Sequence, residues 1–231
     1  LRARWFVRDS RGALVLLALW PLALLFPAAV AVGLGQVFER AEEGLATLLQ
    51  DTPFLEWLPV REIELQPLLP GVETACVALG ALVPCLLGYT VIQHRGRRAL
   101  FALLALAAGV AASALSAALT YGPLYAWAWI SEPVRLGLPA AALAAILLLP
   151  LPARVCVVLL MAVLMGQLAL LNAAPQSAYF ASTLQSWEQG RFIHFHGLAQ
   201  WVGWLWPYVA FVYLIVRLAR RGEGAAPRID A

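Results

Sequence analysis

The residues best suited to chemistry lie in one stretch near the end of the chain, QSWEQGRFIHFHGLAQWVGWLWPY. His194 and His196 are separated by a single phenylalanine, and Glu188 and Arg191 precede them. A metal site takes three or four nitrogen, sulfur or carboxylate ligands, but the third histidine, His94, lies far away in a basic stretch. A catalytic pair would use Glu188 to orient a histidine and Arg191 to hold an anion, but no nucleophile stands at a diagnostic spacing. We therefore expect no metal, no cofactor and no enzymatic activity.

The same stretch is rich in aromatic side chains, which favour the boundary between a membrane and water. An arginine at that boundary binds a phosphate through two parallel hydrogen bonds while its stem packs on an indole. The pattern predicts a contact with membrane lipids or with the acidic edge of a protein partner, and the two histidines are secondary donors. The predicted contact residues are Trp187, Glu188, Arg191, His194, His196, Trp201 and Trp204.

The composition is that of a protein that lies in lipid. Hydrophobic residues make up 62% of the 231 residues, charged residues only 13%, and the mean hydropathy is +0.80. Soluble domains average about 25% charged residues. The net charge is +3, and all sixteen Lys and Arg residues are arginines. No basic patch is interleaved with exposed aromatics on a polar domain, which argues against a nucleic-acid partner.

The apolar segments predict an all-α, polytopic integral membrane protein. A crossing takes about 20 helical residues, within a range of roughly 17–25, and six segments qualify. Pro21, Pro27 and Pro84 fall inside these segments and should kink their helices. The predicted spans cover residues 13–33, 70–92, 99–119, 136–151, 153–171 and 198–218.

The arginines predict the orientation, because loops on the cytoplasmic side carry an excess of basic residues. With the N-terminus inside, twelve of the sixteen arginines are cytoplasmic and ten of the thirteen acidic residues are outside. Both termini are then cytoplasmic. The transmembrane domain covers 13–218, between a basic flank over 1–12 and a tail over 219–231. The exterior loops cover 34–69, 120–135 and 172–197.

The first exterior loop predicts an amphipathic helix that lies on the outer face of the membrane. Apolar residues recur at helical spacing from Val37 to Leu49, and acidic residues fall largely on the opposite side. Asp51 and Pro53 mark its end.

Small residues and cysteines inside the spans predict packing rather than chemistry. Gly109, Ser113 and Ser116 recur at a spacing that allows close approach of helices. Cys76 and Cys85 stand roughly 13 Å apart on one helix, too far for a disulfide. We expect these two thiols and that of Cys156 to be buried and inert.

Two segments carry a family resemblance. The pairing of LLALWPLALLFP and GLGQV near the start with YFASTLQSWEQGRFIHFHGLAQWVGWLWPYVAFVYL near the end resembles the C-terminal membrane half of long proteobacterial VanZ-like proteins. The resemblance is one of motif and span order, and it covers most of the chain. The four-span N-terminal core that defines the family, with its Glu, Gln, Arg, Asp and Asn pattern, is absent from this sequence. None of the family's signature polar residues is therefore carried over to a position here.

The resemblance implies a bacterial inner-membrane protein of the cell envelope. Founding members of the family are associated with reduced susceptibility to lipoglycopeptide antibiotics and have no established catalytic activity. We expect a non-enzymatic protein that acts on or beside envelope components, with membrane lipids and other membrane protein subunits as partners. Two alternatives stay open. One is a scaffold or accessory subunit of a larger membrane complex, such as an energy-transducing one, and the other is a transporter or lipid-handling enzyme that uses the loop 188–196.

The orientation is tested by the access of a thiol reagent that does not cross membranes. Thr52→Cys and Ser177→Cys, in exterior loops, should react from outside intact cells, whereas Gly96→Cys, in a cytoplasmic loop, should not. Labelling at Gly96 without labelling at Thr52 would reverse the predicted orientation.

Overall fold

The computed structural model describes residues 6, 10–25, 30–35, 37, 45, 47–50, 52–54, 70–172 and 193–223. Over these ranges the chain is all-helical, without a β-strand, and an isolated bridge pairs Phe6 with Ile92. This confirms the predicted all-α class. The helices are α1, Arg11–Ala23; α2, Pro70–Val91; α3, Arg95–Tyr121; α4, Glu132–Leu147; α5, Ala153–Asn172; and α6, Ile193–Glu223, with a 3-10 turn at Pro123–Tyr125.

Four of these helices, α2, α3, α5 and α6, are long and apolar enough to cross a membrane. They coincide with the predicted spans 70–92, 99–119, 153–171 and 198–218. The helix α4 has 16 residues and α1 has 13, so they are about 24 Å and about 20 Å long. Both are shorter than the hydrocarbon layer of a bilayer, which is about 30 Å thick.

The first predicted span, 13–33, is not one continuous helix. The helix α1 ends at Ala23, and residues 30–35 form turns and irregular backbone. Pro21 removes a backbone donor in the last turn of α1. Gly35 has a φ of +98°, a conformation that glycine adopts without steric penalty. The sequence prediction equated apolar length with helix, whereas the helix ends at Ala23, ten residues before the predicted end of the span.

The helix α2 forms the centre of the bundle, and 78% of its most apolar stretch is buried. It contacts α1, α3, α4 and α5, and its second half is the most completely buried part of the chain, with Leu86, Leu87 and Tyr89 fully inaccessible. The hydroxyl of Tyr89 donates to the carbonyl of Ala145 at 3.0 Å, which joins α2 to α4. A helix that is apolar on all sides is expected at such a central position.

Small residues let the helices approach one another closely. A Cβ atom at Gly137 of α4 would lie 2.8 Å from the Val77 side chain and 2.9 Å from the carbonyl of Thr74, both on α2. On α3, a Cβ at Gly109 would lie 2.6 Å from the indole of Trp20. The close packing predicted from the spacing of small residues on α3 is therefore confirmed at Gly109.

The short helix α1 is tied to two longer helices by hydrogen bonds to its backbone. The indole Nε1 of Trp206, on α6, donates to the carbonyl of Leu16 at 2.7 Å. The hydroxyl of Ser116, on α3, donates to the carbonyl of Leu25 at 2.9 Å, just beyond the end of α1. The second bond satisfies a carbonyl that the ended helix leaves without a partner.

The cysteines behave as predicted. Cys76, Cys85 and Cys156 are free and buried. Their thiols lie within the packed bundle, which is the environment of inert rather than reactive cysteines.

The outer helices present apolar side chains outward. In α3 only 22% of the most apolar stretch is buried. Its exposed leucines include Leu103, Leu104, Leu115 and Leu119. An apolar surface of this extent is unusual for a soluble monomer and is what lipid contact requires. Within the described ranges, the helix lengths and the apolar surface are compatible with a membrane protein.

The described part of the first predicted exterior loop is helical at residues 45 and 47–49. Leu45 and Leu48 are exposed, as expected for an apolar helix face that rests on a membrane. Both the backbone N–H and the hydroxyl of Thr52 donate to the carbonyl of Leu49, which ends the helix where the sequence predicted an end.

Candidate functional site

The predicted lipid or partner contact lies partly within the described residues. Trp187, Glu188 and Arg191 are outside them, and His194 and His196 are placed by backbone only, in the first turns of α6. Trp201 and Trp204 form an edge-to-face pair with ring centroids 5.7 Å apart and an interplanar angle of 73°. Trp201 is 59% exposed, whereas Trp204 is half-buried. The structure thus brings these two indoles together, and the lipid or partner contact of all seven residues stays a prediction.

A second group of polar contacts surrounds a non-helical segment, residues 30–35 and 37, which the sequence prediction did not single out. Val30, Val32 and Leu34 are buried, so this segment enters the bundle instead of lying on its surface. Non-helical backbone buried in a bundle needs protein partners for its polar groups, because an unpaired buried polar group is costly.

Two side chains from neighbouring helices supply those partners. Asn172, at the end of α5, donates from Nδ2 to the carbonyl of Gly35 at 3.3 Å and accepts from the N–H of Val37 at 3.3 Å. The hydroxyl of Tyr208, on α6, donates to the same Gly35 carbonyl at 3.0 Å. One amide thus bonds to the segment at both Gly35 and Val37, and the Gly35 carbonyl receives two donors.

Glycines make room for this segment. A Cβ at Gly80, in the middle of α2, would lie 2.6 Å from the carbonyl of Val32, and one at Gly35 would lie 2.5 Å from Pro207 and 2.7 Å from Leu168. The backbone of the segment therefore touches the backbone of α2 directly. Protein atoms therefore fill the space between the segment and α2.

At the C-terminal end of α2, a buried arginine binds four main-chain carbonyls. Arg98 is 5% exposed. Its Nε donates to the carbonyl of Ile92 at 2.8 Å and its Nη2 to that of Tyr89 at 2.9 Å. Its Nη1 donates to the carbonyls of Leu151 and Leu149 at 2.6 and 3.1 Å. The first pair lies at the end of α2 and the second in the turn between α4 and α5, so one guanidinium joins three helices.

The charge of Arg98 suits this position. The last carbonyls of a helix lack helical partners and form the negative end of the helix dipole, where a cation is stabilised. The guanidinium also stands 5.5 Å from the ring centroid of Tyr89, within the range of a cation–π contact.

A second buried arginine binds the same end of α2 from another helix. Arg217, on α6, is 9% exposed. Its Nη1 donates to the hydroxyl oxygen of Thr90 at 2.9 Å, and its Nη2 donates to the Thr90 carbonyl at 3.1 Å. The Thr90 hydroxyl in turn donates to the carbonyl of Leu87 at 2.8 Å. The two arginines together fix α2 to α3 and α6.

Sequence reasoning counted Arg98 and Arg217 only as cytoplasmic charges and did not predict these contacts. A signal was present for Arg217, because the predicted span 198–218 contains it. Charged residues inside a span face the protein interior and bind carbonyls or one another. Arg98, one residue before the span 99–119, gave no such signal.

These buried polar groups form hydrogen bonds mainly with the main chain of the protein itself. Their guanidinium and hydroxyl groups donate to carbonyl oxygens within the bundle, except that Nη1 of Arg217 donates to the Thr90 hydroxyl. In the part of the chain that the structure describes, no group of three or more His, Cys, Asp or Glu side chains is arranged to hold a metal ion.

Comparison with known proteins does not identify a family. No protein-family model matches this chain, and no significant match is found among curated proteins or solved structures.

Replacing Asn172 tests the support of the buried non-helical segment. Asn172→Leu removes the bonds to Gly35 and Val37, and we expect the free energy of unfolding in detergent to fall by about 1–3 kcal/mol. Tyr208→Phe alone should cost less, and the double variant should cost more than the sum, because the Gly35 carbonyl then loses both donors.

The matched control is Gln93→Leu, an exposed amide in the link between α2 and α3, which should leave the stability unchanged. Unfolding is followed by the reaction of the buried cysteines with a thiol dye. Equal stabilities for Asn172→Leu and Gln93→Leu would contradict the assigned role of Asn172.

Proposed function

We propose that this chain is a non-enzymatic integral protein of the bacterial inner membrane that acts on or beside components of the cell envelope, as its resemblance to VanZ-like proteins implies. In this proposal, α1 and α4 complete the six spans, and both termini are cytoplasmic. The arginine count and the four helices of spanning length support the membrane placement.

The arrangement of helix ends supports the proposed orientation. Arg98 and Arg217 bind the end of α2 from the beginning of α3 and the end of α6, and Arg98 also binds the turn before α5. These four helix ends therefore meet at one end of the bundle, which we call the arginine end. Arg95, Arg97 and Arg154 belong to the same helix ends. A cluster of this kind is typical of the cytoplasmic side of a membrane protein.

The observation that carries the non-enzymatic part of the proposal is the use made of buried polar side chains. Six buried or partly buried side chains donate to main-chain oxygens of the bundle, as is typical of groups that hold helices together. An enzyme needs a base or nucleophile beside an open position for the substrate. The side chains that bond in this way are Tyr89, Arg98, Ser116, Trp206, Tyr208 and Arg217.

The predicted contact around Arg191 would then face the envelope side. With Trp187 and the Trp201–Trp204 pair nearby in sequence, Arg191 is proposed to bind a phosphate group of a lipid or the acidic edge of a partner protein. A lysine keeps the charge but cannot bind two oxygens as a planar fork.

The test is a deletion of the gene, complemented by variants of the full-length protein. Deletion should change the susceptibility of the cells to envelope-directed antibiotics such as lipoglycopeptides, and the unaltered gene should restore it. Arg191→Ala should fail to restore it, Arg191→Lys should restore it in part, and the matched control Arg40→Ala, in the first predicted exterior loop, should restore it fully.

Two outcomes would overturn the proposal. A deletion strain with unchanged envelope phenotypes would remove the envelope function. Stoichiometric copurification with subunits of a known complex in mild detergent, together with loss of that complex on deletion, would favour the scaffold function instead.

A further inference from the structure

The connection between α3 and α4 exposes apolar and aromatic side chains. Leu124 is 95% exposed, and Tyr125 and Trp127 are each 59% exposed. The connecting sequence, YGPLYAWAWIS, contains no charged residue and no histidine. Such a surface is unfavourable in water, where burial of apolar area contributes about 25 cal/mol per Å².

The backbone of this connection is folded into successive turns. The N–H of Tyr125 donates to the carbonyl of Gly122 at 3.0 Å, that of Ala128 to Tyr125 at 3.0 Å, and that of Ile130 to Trp127 at 3.1 Å. These bonds present the exposed side chains in a defined arrangement.

One side of the connection is fixed to the bundle. Trp129 and Ile130 pack on a buried cluster that includes Val30, Val77 and Val134. Leu124, Tyr125 and Trp127 therefore project from a supported base. They follow in the chain directly after α3, whose last exposed leucines are Leu115 and Leu119.

Helix lengths set the height of the connection above the arginine end. The helix α3 has 27 residues and is about 40 Å long, whereas α4 is about 24 Å long. Arg98, in the first turn of α3, binds the turn that follows α4. The start of α3 and the end of α4 therefore lie at about the same height. For helices near the membrane normal, the connection crosses the height at which a hydrocarbon layer of about 30 Å ends.

We propose that Leu124, Tyr125 and Trp127 form an interfacial anchor that inserts into the phospholipid leaflet opposite the arginine end. The occupant of this surface is the boundary between acyl chains and headgroups, where amphipathic aromatic rings are favoured. The connection carries no charge, so insertion does not depend on anionic headgroups. The proposal rests on the membrane placement argued above, but not on a role in the envelope.

The test places a fluorescent label on single introduced cysteines and measures its depth. Leu124→Cys is suitable because the side chain is exposed and makes little contribution to packing, and Tyr125→Cys is the second position. The native cysteines are buried and do not compete for the label. The full chain is reconstituted into phosphatidylcholine vesicles that contain lipids spin-labelled either near the glycerol or near the end of the acyl chain.

Two matched controls on α3 bracket the expected depth. A label on Ala107→Cys, at an exposed position near the middle of α3, should be quenched most by the deep spin label. A label on Gly96→Cys, exposed at the arginine end, should be quenched by aqueous iodide.

Labels at positions 124 and 125 should lose more emission to the shallow spin label than to the deep one, and should resist iodide. This places them about 15 Å from the bilayer centre, half the thickness of the hydrocarbon layer. The same result is expected when anionic lipid is added.

The other outcomes overturn the proposal in different ways. Quenching by iodide as at Gly96, without quenching by lipid, would place the connection in water. Protection from both iodide and lipid would show that a second copy of the chain covers it. Failure of the deep label to quench at Ala107 would instead contradict the membrane placement itself.

Discussion

The hydrogen bonds of Arg98 are the interaction on which the arrangement of the bundle depends. A single guanidinium bonds to carbonyls at the end of α2 and in the turn between α4 and α5, and its own backbone belongs to the first turn of α3. The central helix therefore ends against its neighbours rather than against water. Arg217 adds α6 to the same helix end through Thr90. Bonds to charged donors each contribute about 1.5–3 kcal/mol, and a buried carbonyl left unpaired costs a comparable amount.

In the other half of the bundle, different residues supply hydrogen bonds to a buried, non-helical segment. There the chain after α1 is not helical yet is buried, and neutral side chains supply its hydrogen bonds. Asn172 and Tyr208 satisfy the Gly35 carbonyl, and Gly80 lets the segment approach α2. Charged donors thus hold the arginine end, where helix dipoles favour cations. Neutral donors hold the interior segment, where an unpaired charge would be costly.

Apolar length and the positions of proline and glycine account for what could be predicted from the sequence. The all-helical class and four long helices followed from runs of about 20 apolar residues, and the burial of the cysteines followed from their position in those runs. The segment 13–33 was predicted as one span because hydropathy does not register a helix end. Two of the four contacts of Arg98 could not be predicted, because they depend on carbonyls more than 50 positions later in the chain. Of the predicted lipid or partner contact, the Trp201–Trp204 pair fits an aromatic pair three residues apart on one helix face.

The most direct measurement of this account is the unfolding free energy of Arg98 variants in detergent micelles, obtained by titration with a denaturing detergent. Arg98→Ala should lower it by at least about 3 kcal/mol, since two or more charge-assisted bonds are lost. Arg98→Lys should recover only part, because an ammonium cannot reach carbonyls on both sides as a planar guanidinium does. Arg95→Ala, which removes an exposed arginine from the same helix, should have little effect. Equal stabilities for Arg98→Ala and Arg95→Ala would contradict the central role assigned to the buried guanidinium.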